Sequence, residues 1–144
     1  MRLFTIGFPK KSAADFSGTL RAAGVKRVID VRLNNRSQLA GFTKASDLAY
    51  FLRALCGIDY VARPDLAPSK ALFDGYKKSG DWRVYKQQFI ELMRERRVEE
   101  AISRDVLDGA CLMCSEPEPD RCHRRLVAEY LRDKWGNVEI EHLR

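Results

Sequence analysis

The stretch VKRVIDVR, residues 25 to 32, decides the fold class more than any other part of the sequence. It is a nearly continuous β-branched run, which is typical of a strand buried on both faces of a parallel sheet. Asp30 and Arg32 stand at its end, and a polar, loop-like segment, LNNRSQLAGF, follows at 33 to 42. We therefore predict a buried parallel strand whose carboxyl end carries charged groups.

Predicted helices and strands alternate around this stretch. Ser12 and Asp15 have the spacing of a capping box, with Asp in the place usually taken by Glu or Gln. Gly24 and Gly57 are placed as helix C-caps. The flanking elements are a strand, RLFTIG at 2 to 7; a helix, KSAADFSGTLRAAG at 11 to 24; a helix, TKASDLAYFLRALCG at 43 to 57; and a strand, IDYVAR at 58 to 63.

The segment from Ala67 to about Val106 predicts a helical insert. Pro68 suits its first turn, and Gly75 with SGD at 79 to 81 divides it into a short and a long helix. The long helix carries an apolar stripe, which predicts core packing: Trp82, Tyr85, Phe89, Leu92 and Met93. The remaining elements are a strand, a helix and a strand: GACLMC at 109 to 114, HRRLVAEYLRDKWG at 123 to 136 and NVEIEHL at 137 to 143.

The predicted element order is βαβαβ, then the helical insert, then βαβ. Strands that alternate with helices indicate an α/β fold, with a mainly parallel sheet and flanking helices. A chain of 144 residues corresponds to a single domain, 1–144. In such sheets ligands bind at the carboxyl ends of the strands, so residues with a chemical role should follow the strands.

Composition restricts the classes of protein to be considered. The chain is 45% hydrophobic and 32% charged, which is usual for a soluble globular protein. No segment approaches the ~20 apolar residues of a membrane span. The amino terminus lacks the longer apolar run and cleavage site of a signal peptide, which predicts a cytoplasmic protein with no membrane partner. In that reducing compartment the four cysteines are expected to be free thiols.

The chain is basic, with a net charge of +6 and a pI of about 9.3. Such a charge suits an anionic partner, either a small molecule or nucleic acid. A solvated basic surface produces the same charge, and no interleaving of aromatic and basic residues typical of a nucleic-acid platform is evident. Charge alone therefore favours the solvated surface. No cofactor is predicted from the sequence.

Polar and reactive side chains follow the predicted strands. The candidate ligand-binding residues after the second strand are Asp30, Arg32, Asn34, Ser37 and Gln38. The candidates after the fourth strand and at the start of the last helix are Cys114, Glu116, Cys122 and His123, which are catalytic candidates, and Arg124, which is a ligand-binding candidate. Because parallel strands end at one edge of a sheet, we expect these groups to converge there.

A metal site is disfavoured by geometry. Cys111, Cys114, Cys122 and His123 superficially supply a zinc ligand set. Cys111 and Cys114, however, lie an odd number of residues apart on one predicted strand, so their side chains point to opposite faces. Cys122 and His123 are adjacent and could not easily turn to one ion. No metal site is predicted.

A reactive thiol is the next alternative. As a phosphatase-type nucleophile Cys114 fails, because the loop after it has no glycine, and the arginine expected after five intervening residues is replaced by Asp120. Cys122 is better placed, since a helix N-terminus and neighbouring cations favour the thiolate. A cysteine buried beneath the helix start is the competing interpretation. The sequence leaves both open.

The chain resembles the domain of unknown function 488 family in four stretches: FTIGF, VKRVIDVRLNNRSQLAGF, CGIDYVARPDLAP and CLMCSEPEPDRCHRRLVAEYL. The most specific pattern is Cys-x-Glu-x₅-Cys-His-Arg, which begins at Cys114. Two positions depart from many members: Phe8 replaces a histidine, and Leu66-Ala67-Pro68 replaces Leu-Gly-Gly. The resemblance implies an α/β fold and the same candidate residues, but no particular reaction.

The leading hypothesis is a polar pocket that binds an anion such as phosphate, a nucleotide or nucleic acid, and that acts on it chemically. Arg32, oriented by Asp30, and Arg124 would hold the anion. Cys122 would be the nucleophile or redox thiol, and His123 with Glu116 the acid–base pair. One alternative is a non-enzymatic nucleic-acid-binding or adaptor module. The other is thiol redox chemistry, or rhodanese-like sulfur transfer, through Cys122 or Cys114.

Overall fold

The computed structural model describes residues 1–9, 11–33, 45–116 and 118–144. Its strands are β1 (Arg2–Gly7), β2 (Arg27–Asp30), β3 (Asp59–Ala62), β4 (Ala110–Cys114) and β5 (Glu139–Leu143). Its α-helices are α1 (Ala13–Ala23), α2 (Ala45–Phe51), α3 (Lys70–Ser79), α4 (Trp82–Arg96), α5 (Val98–Ala101), α6 (Arg104–Leu107) and α7 (His123–Trp135). A π-helical turn, Leu52–Cys56, continues α2, and a 3₁₀ turn spans Pro64–Leu66.

The strands form one sheet of order β3-β2-β4-β1-β5, and every described pairing is parallel. The predicted α/β fold with a mainly parallel sheet is confirmed. β4 lies between β1 and β2, and the register pairs Gly7 with Cys114 and Asp30 with Met113. The carboxyl ends of these three strands therefore meet at one edge of the sheet.

Helices cover both faces of the sheet because the chain crosses it in two directions. From β1 the chain moves through α1 to β2, whereas from β4 it moves through α7 to β5 on the other side. Right-handed crossovers in opposite directions place their helices on opposite faces. The two connections leave from neighbouring strands, β1 and β4, which is where α/β sheets open a crevice for ligands.

Strand β4 contributes residues to the hydrophobic clusters on both faces of the sheet. All five of its residues are buried. Ala110, Leu112 and Cys114 pack in the cluster that contains residues of α4 and α7, whereas Cys111 and Met113 pack in the cluster with residues of α1 and α2. Cys111 and Cys114 thus face opposite sides of the sheet, as the odd spacing predicts.

Local signals set the helix ends largely as expected. The Ser12 hydroxyl accepts from the Asp15 N–H at 3.1 Å, and Gly24 adopts a left-handed φ of 75° beyond α1. The start of α3 differs from the prediction, because Pro68 precedes the helix and Ser69 caps it. The helical insert also continues past α4 into two short helices, α5 and α6.

The predicted core stripe of α4 is confirmed. Tyr85, Phe89 and Met93 are buried, with Trp82 and Leu92 packed partly against the same cluster. Asp81 caps this helix, because its Oδ1 accepts from the N–H groups of Arg83 and Val84 in the first turn. The stripe holds α4 against α7, which carries part of the candidate site.

Candidate functional site

A buried ion pair closes β2. Two guanidinium nitrogens of Arg32 reach the Asp30 carboxylate, Nε at 2.9 Å and Nη2 at 2.8 Å, and only 1% of Asp30 and 5% of Arg32 are exposed. The Tyr60 hydroxyl on β3 donates to the same carboxylate at 2.5 Å. Burial and then Asp30 raise the pKa of Tyr60, so the phenol stays protonated and remains a donor.

Arg32 also lies over the ring of Phe8, with its guanidinium carbon 5.4 Å from the ring centroid. Cations stack favourably on aromatic faces in this range. The family resemblance described above implies a histidine at this position, where the chain has Phe8. In this chain the residue after β1 is therefore a platform for the arginine and not a titratable group.

A second cluster lies at the end of β4. Arg124 is fully buried and its Nη1 contacts two acceptors, the Cys114 Sγ at 2.9 Å and the main-chain carbonyl of Glu116 at 2.6 Å. The Glu116 N–H also points to the Cys114 Sγ, at 3.4 Å. The guanidinium thereby ties the start of α7 to the loop that follows β4.

The Cys114 sulfur is surrounded by donors. Burial alone would raise the pKa of this thiol, because only 1% of the residue is exposed. A hydrogen bond from Cys122, the charge of Arg124, the Glu116 N–H and the Arg124 hydrogen bond outweigh burial and lower the pKa to about 7. The surroundings of the Cys114 sulfur therefore favour its thiolate form.

Cys122 behaves in the opposite way. It stands directly before α7 at the N-cap position, as predicted, but only 2% of it is exposed. Burial raises its pKa well above the ordinary value, and the bond to Cys114 and the negative charge of Cys114 raise it further. The buried interpretation is thus favoured, and the hydrogen bonds and charges around the pair favour a thiolate on Cys114 and not on Cys122.

His123 joins the two clusters. Its Nε2 lies 2.5 Å from the carbonyl oxygen of Val31, the residue between Asp30 and Arg32. A carbonyl only accepts, so Nε2 carries the proton. The ring also packs against Phe89, with centroids 5.7 Å apart. His123 therefore fastens α7 to the end of β2.

Burial lowers the pKa of His123 to about 4, although the Val31 carbonyl opposes the shift. The unfolded chain gains a proton near the ordinary pKa of 6.5, whereas the folded chain does not until about 4. We expect the free energy of unfolding to fall by about 2 kcal/mol between pH 7 and 4.5 on account of this group.

Urea denaturation at the two pH values measures the effect. The control is His123→Gln, which keeps a side-chain N–H donor but does not titrate. His142 also has a lowered pKa, so the two proteins share its contribution and their difference isolates His123. Equal losses in the wild type and the variant would contradict the assignment.

The structure describes only some of the remaining predicted site residues. Glu116 meets Arg124 through its main chain, and its side chain is exposed. The roles of Glu116 and His123 as an acid–base pair stay a prediction. Asn34, Ser37 and Gln38 lie outside the described residues. Tyr60 was missed. It lies on β3, where it pairs with Val28 of β2, and the sequence alone does not show which strand lies beside β2.

A family model with the description "Domain of unknown function DUF488" matches residues 12–131. The chain belongs to the DUF488 family. The matched segment includes both clusters, from the Asp30–Arg32 pair to Arg124, and it leaves β1 and β5 outside. No curated protein and no solved structure shows significant similarity to the chain.

Two further findings bear on the class of this DUF488 protein. Across residues 1–9, 11–33, 45–116 and 118–144, no helix is both long and apolar enough to cross a lipid bilayer. In the same part of the chain, no three His, Cys, Asp or Glu side chains converge on a position that could hold a metal ion.

Proposed function

We propose that Cys114 and Cys122 form a redox-active dithiol, which small peroxides oxidise to a disulfide and thiols reduce again. The observation that supports this function is the set of donors around the Cys114 sulfur: the Arg124 guanidinium, the Cys122 thiol and the Glu116 N–H. These donors stabilise a thiolate, which is the nucleophilic form of cysteine.

The lowered pKa gives Cys114 a reactive population at neutral pH. With a pKa of about 7, about half of the molecules would carry the Cys114 thiolate at pH 7. Cys122 keeps its proton under the same conditions because its pKa is raised. The pair therefore presents one nucleophile and one neutral thiol in hydrogen-bond contact, which suits an attacking and a resolving cysteine.

Burial selects the oxidant. Cys114 is 1% and Cys122 2% exposed, so a bulky substrate cannot reach either sulfur without a structural opening. A small neutral peroxide is the oxidant that fits such a site best. Sulfur transfer through Cys114 alone remains less favoured, because the contact with a second thiol favours closure to a disulfide.

The reaction has two steps. The Cys114 thiolate attacks one oxygen of hydrogen peroxide, the O–O bond breaks, and hydroxide leaves, which gives a sulfenic acid on Cys114. The Cys122 sulfur then attacks that sulfur, the S–O bond breaks, and the oxygen leaves as water with the released protons. Two electrons pass from the two thiols to the peroxide, and an external thiol reverses the disulfide by exchange.

The ultraviolet absorbance of the thiolate, at ~240 nm, reports the ionisation of Cys114 as the pH is varied. This measurement does not require a reagent to reach the buried sulfur. We expect a midpoint near 7 in the wild type that is lost in Cys114→Ser and kept in Cys111→Ser, a matched buried control on the same strand. Mass analysis after peroxide should then show a Cys114–Cys122 disulfide, and a stable sulfenic acid on Cys114 in Cys122→Ser.

A midpoint at the ordinary thiol value in the wild type, or peroxide oxidation that maps to Cys56 and spares Cys114, would overturn the proposal. Cys56 is suitable for this comparison because it is partly exposed and lies on the π-helical turn, outside β4 and α7. In that event the cluster would be a structural brace between β4 and α7.

A second candidate function is binding of an anionic ligand, such as phosphate or a nucleotide, at this edge of the sheet. Burial, followed by the positive charge of Arg124, lowers the pKa of Lys11, which indicates mutual repulsion that an anion would relieve. Arg32 and Arg124, the predicted anion holders, contact Asp30 and Cys114 instead. The thiol function therefore has the stronger support.

A further inference from the structure

A strongly basic surface lies far from the thiols in sequence, on the hairpin formed by α3 and α4. We call residues 70–97 the basic hairpin. It contains eight Lys and Arg residues against four Asp and Glu residues, so it carries +4 of the chain's net +6. The positive charge of this protein is therefore concentrated and not spread evenly over its surface.

The charge is most one-sided around the turn between the two helices. From residue 75 to 90 there are four cations, Lys77, Lys78, Arg83 and Lys86, and a single carboxylate, Asp81. Asp81 is engaged as the cap of α4. Within the described residues none of the four cations forms an ion pair, and the segments left undescribed contain no Asp or Glu that could supply one.

An aromatic ring stands among these cations. A groove of about 430 Å³ is lined by Trp82, Arg83, Lys86, Gln87 and Ile90. The Trp82 ring stacks on Tyr85, with centroids 5.5 Å apart and planes 29° apart, and Tyr76 meets its edge at 5.9 Å. These contacts fix the plane of the indole before any ligand arrives, which lowers the entropy cost of binding.

We propose that the turn of the basic hairpin binds single-stranded nucleic acid, with a base against Trp82 and phosphates on Arg83 and Lys86. Aromatic faces beside a cationic groove are the shared features of proteins that bind single strands without sequence preference. The Gln87 amide adds a donor and an acceptor for a base edge. A partner that offers only negative charge would contact the cations, but it would gain nothing from the fixed indole of Trp82.

This inference stands apart from the proposed thiol function. It uses α3 and the first half of α4, and it uses no residue of the two clusters at the strand ends. A protein with Cys114→Ser should bind nucleic acid as the wild type does, and a protein that fails to bind nucleic acid should still form the disulfide. The two proposals can therefore fail separately.

Fluorescence anisotropy with a labelled oligothymidylate, measured over a range of salt concentrations, tests the surface. We expect Arg83→Gln/Lys86→Gln to weaken binding about tenfold at moderate salt and to reduce the salt slope by about 1.4, because each phosphate contact on a single strand contributes about 0.7. Trp82→Leu should weaken binding roughly tenfold with an unchanged slope, since it removes stacking and no charge.

The matched control is Arg21→Gln/Arg132→Gln, which removes the same charge from exposed positions on α1 and α7. It should bind nearly as the wild type does. Equal weakening by the two double variants would show that net charge alone drives binding, and would overturn the proposal. So would unchanged affinity in Trp82→Leu, or undetectable binding by the wild type, and a thermal melt of each variant identifies any that is not folded.

Discussion

Substitution of Arg124 by alanine is expected to lower the free energy of unfolding by about 3–5 kcal/mol, the cost of breaking a buried charged contact. Arg124 is fully buried and bonds both the Cys114 sulfur and the Glu116 carbonyl. Its removal leaves these acceptors inside the protein without their cationic donor, and it leaves a cavity where the side chain lay.

The same substitution should raise the pKa of Cys114, because the charge and the hydrogen bond that favour the thiolate are both lost. Urea denaturation measures the first effect and thiolate absorbance the second. Arg124→Lys is the informative companion, since it keeps the charge but not the planar fork, and should recover part of the thiolate stabilisation and less of the stability.

The control for Arg124 is its neighbour Arg125. The Arg125 side chain is about one-third exposed and pairs with Glu129 at 2.9 Å one turn along α7. Arg125→Ala is expected to cost about 1 kcal/mol or less, as exposed pairs do. If both substitutions have similar small effects, the guanidinium of Arg124 does not organise the site.

Asp30→Asn is expected to be nearly as damaging, with a loss of about 3–5 kcal/mol, because the Arg32 charge would stay buried without the carboxylate that now balances it. The carboxylate also accepts from the Tyr60 hydroxyl, so donors of two residues, Arg32 and Tyr60, lose a charged acceptor. Asparagine has nearly the same size, so the change removes charge and leaves the packing in place.

The chain contains a matched control for this pair. Arg63 and Asp65 are also two residues apart and make the same two-point contact, at 2.9 and 2.7 Å, but their side chains are 23% and 34% exposed. Asp65→Asn should therefore cost about 1 kcal/mol or less. Chemical denaturation of the two variants compares burial at constant geometry, and equal losses would contradict the role given to burial.

Much of the fold could be predicted because its signals are local. The β-branched run at 25 to 32, the Ser12 cap and the glycines after α1 and α2 each act through neighbouring backbone. The start of α3 was predicted one turn early because Pro68 fits a first helical turn as readily as the position before a cap. Such shifts arise where two local rules allow the same residue.

The chemistry of the two cysteines could not be predicted in the same way. A helix N-terminus with three nearby arginines favours a thiolate on Cys122, but that argument omits burial, which depends on how α7 packs. The thiolate is instead favoured on Cys114 because Cys122 donates to it. The pairing of Tyr60 with Asp30 was hidden for a similar reason, since it depends on which strand lies beside β2.

The aromatic and basic residues of the α3–α4 turn were overlooked in the sequence because the aromatic residues were assigned to the core. That assignment is correct for Tyr85 and Phe89. Trp82 is different, since it packs against the core and also lines an open groove. Helical periodicity predicts which face of α4 a residue lies on, but it does not predict how deeply that residue is buried. It therefore could not separate Trp82, which also lines the groove, from the buried residues of the same stripe.

The position of β4 in the middle of the sheet has a consequence for how the chain folds. β1 and β2 are formed by the first 30 residues, yet neither pairs with the other, and the strand that joins them begins only at Ala110. Until that residue leaves the ribosome, the inner edges of β1 and β2 remain open. Contacts between residues so far apart in the sequence form slowly. Until they form, the unpaired strand edges are exposed and prone to aggregate. Those edges of β1 and β2 are thus closed only by the strand that also carries Cys114.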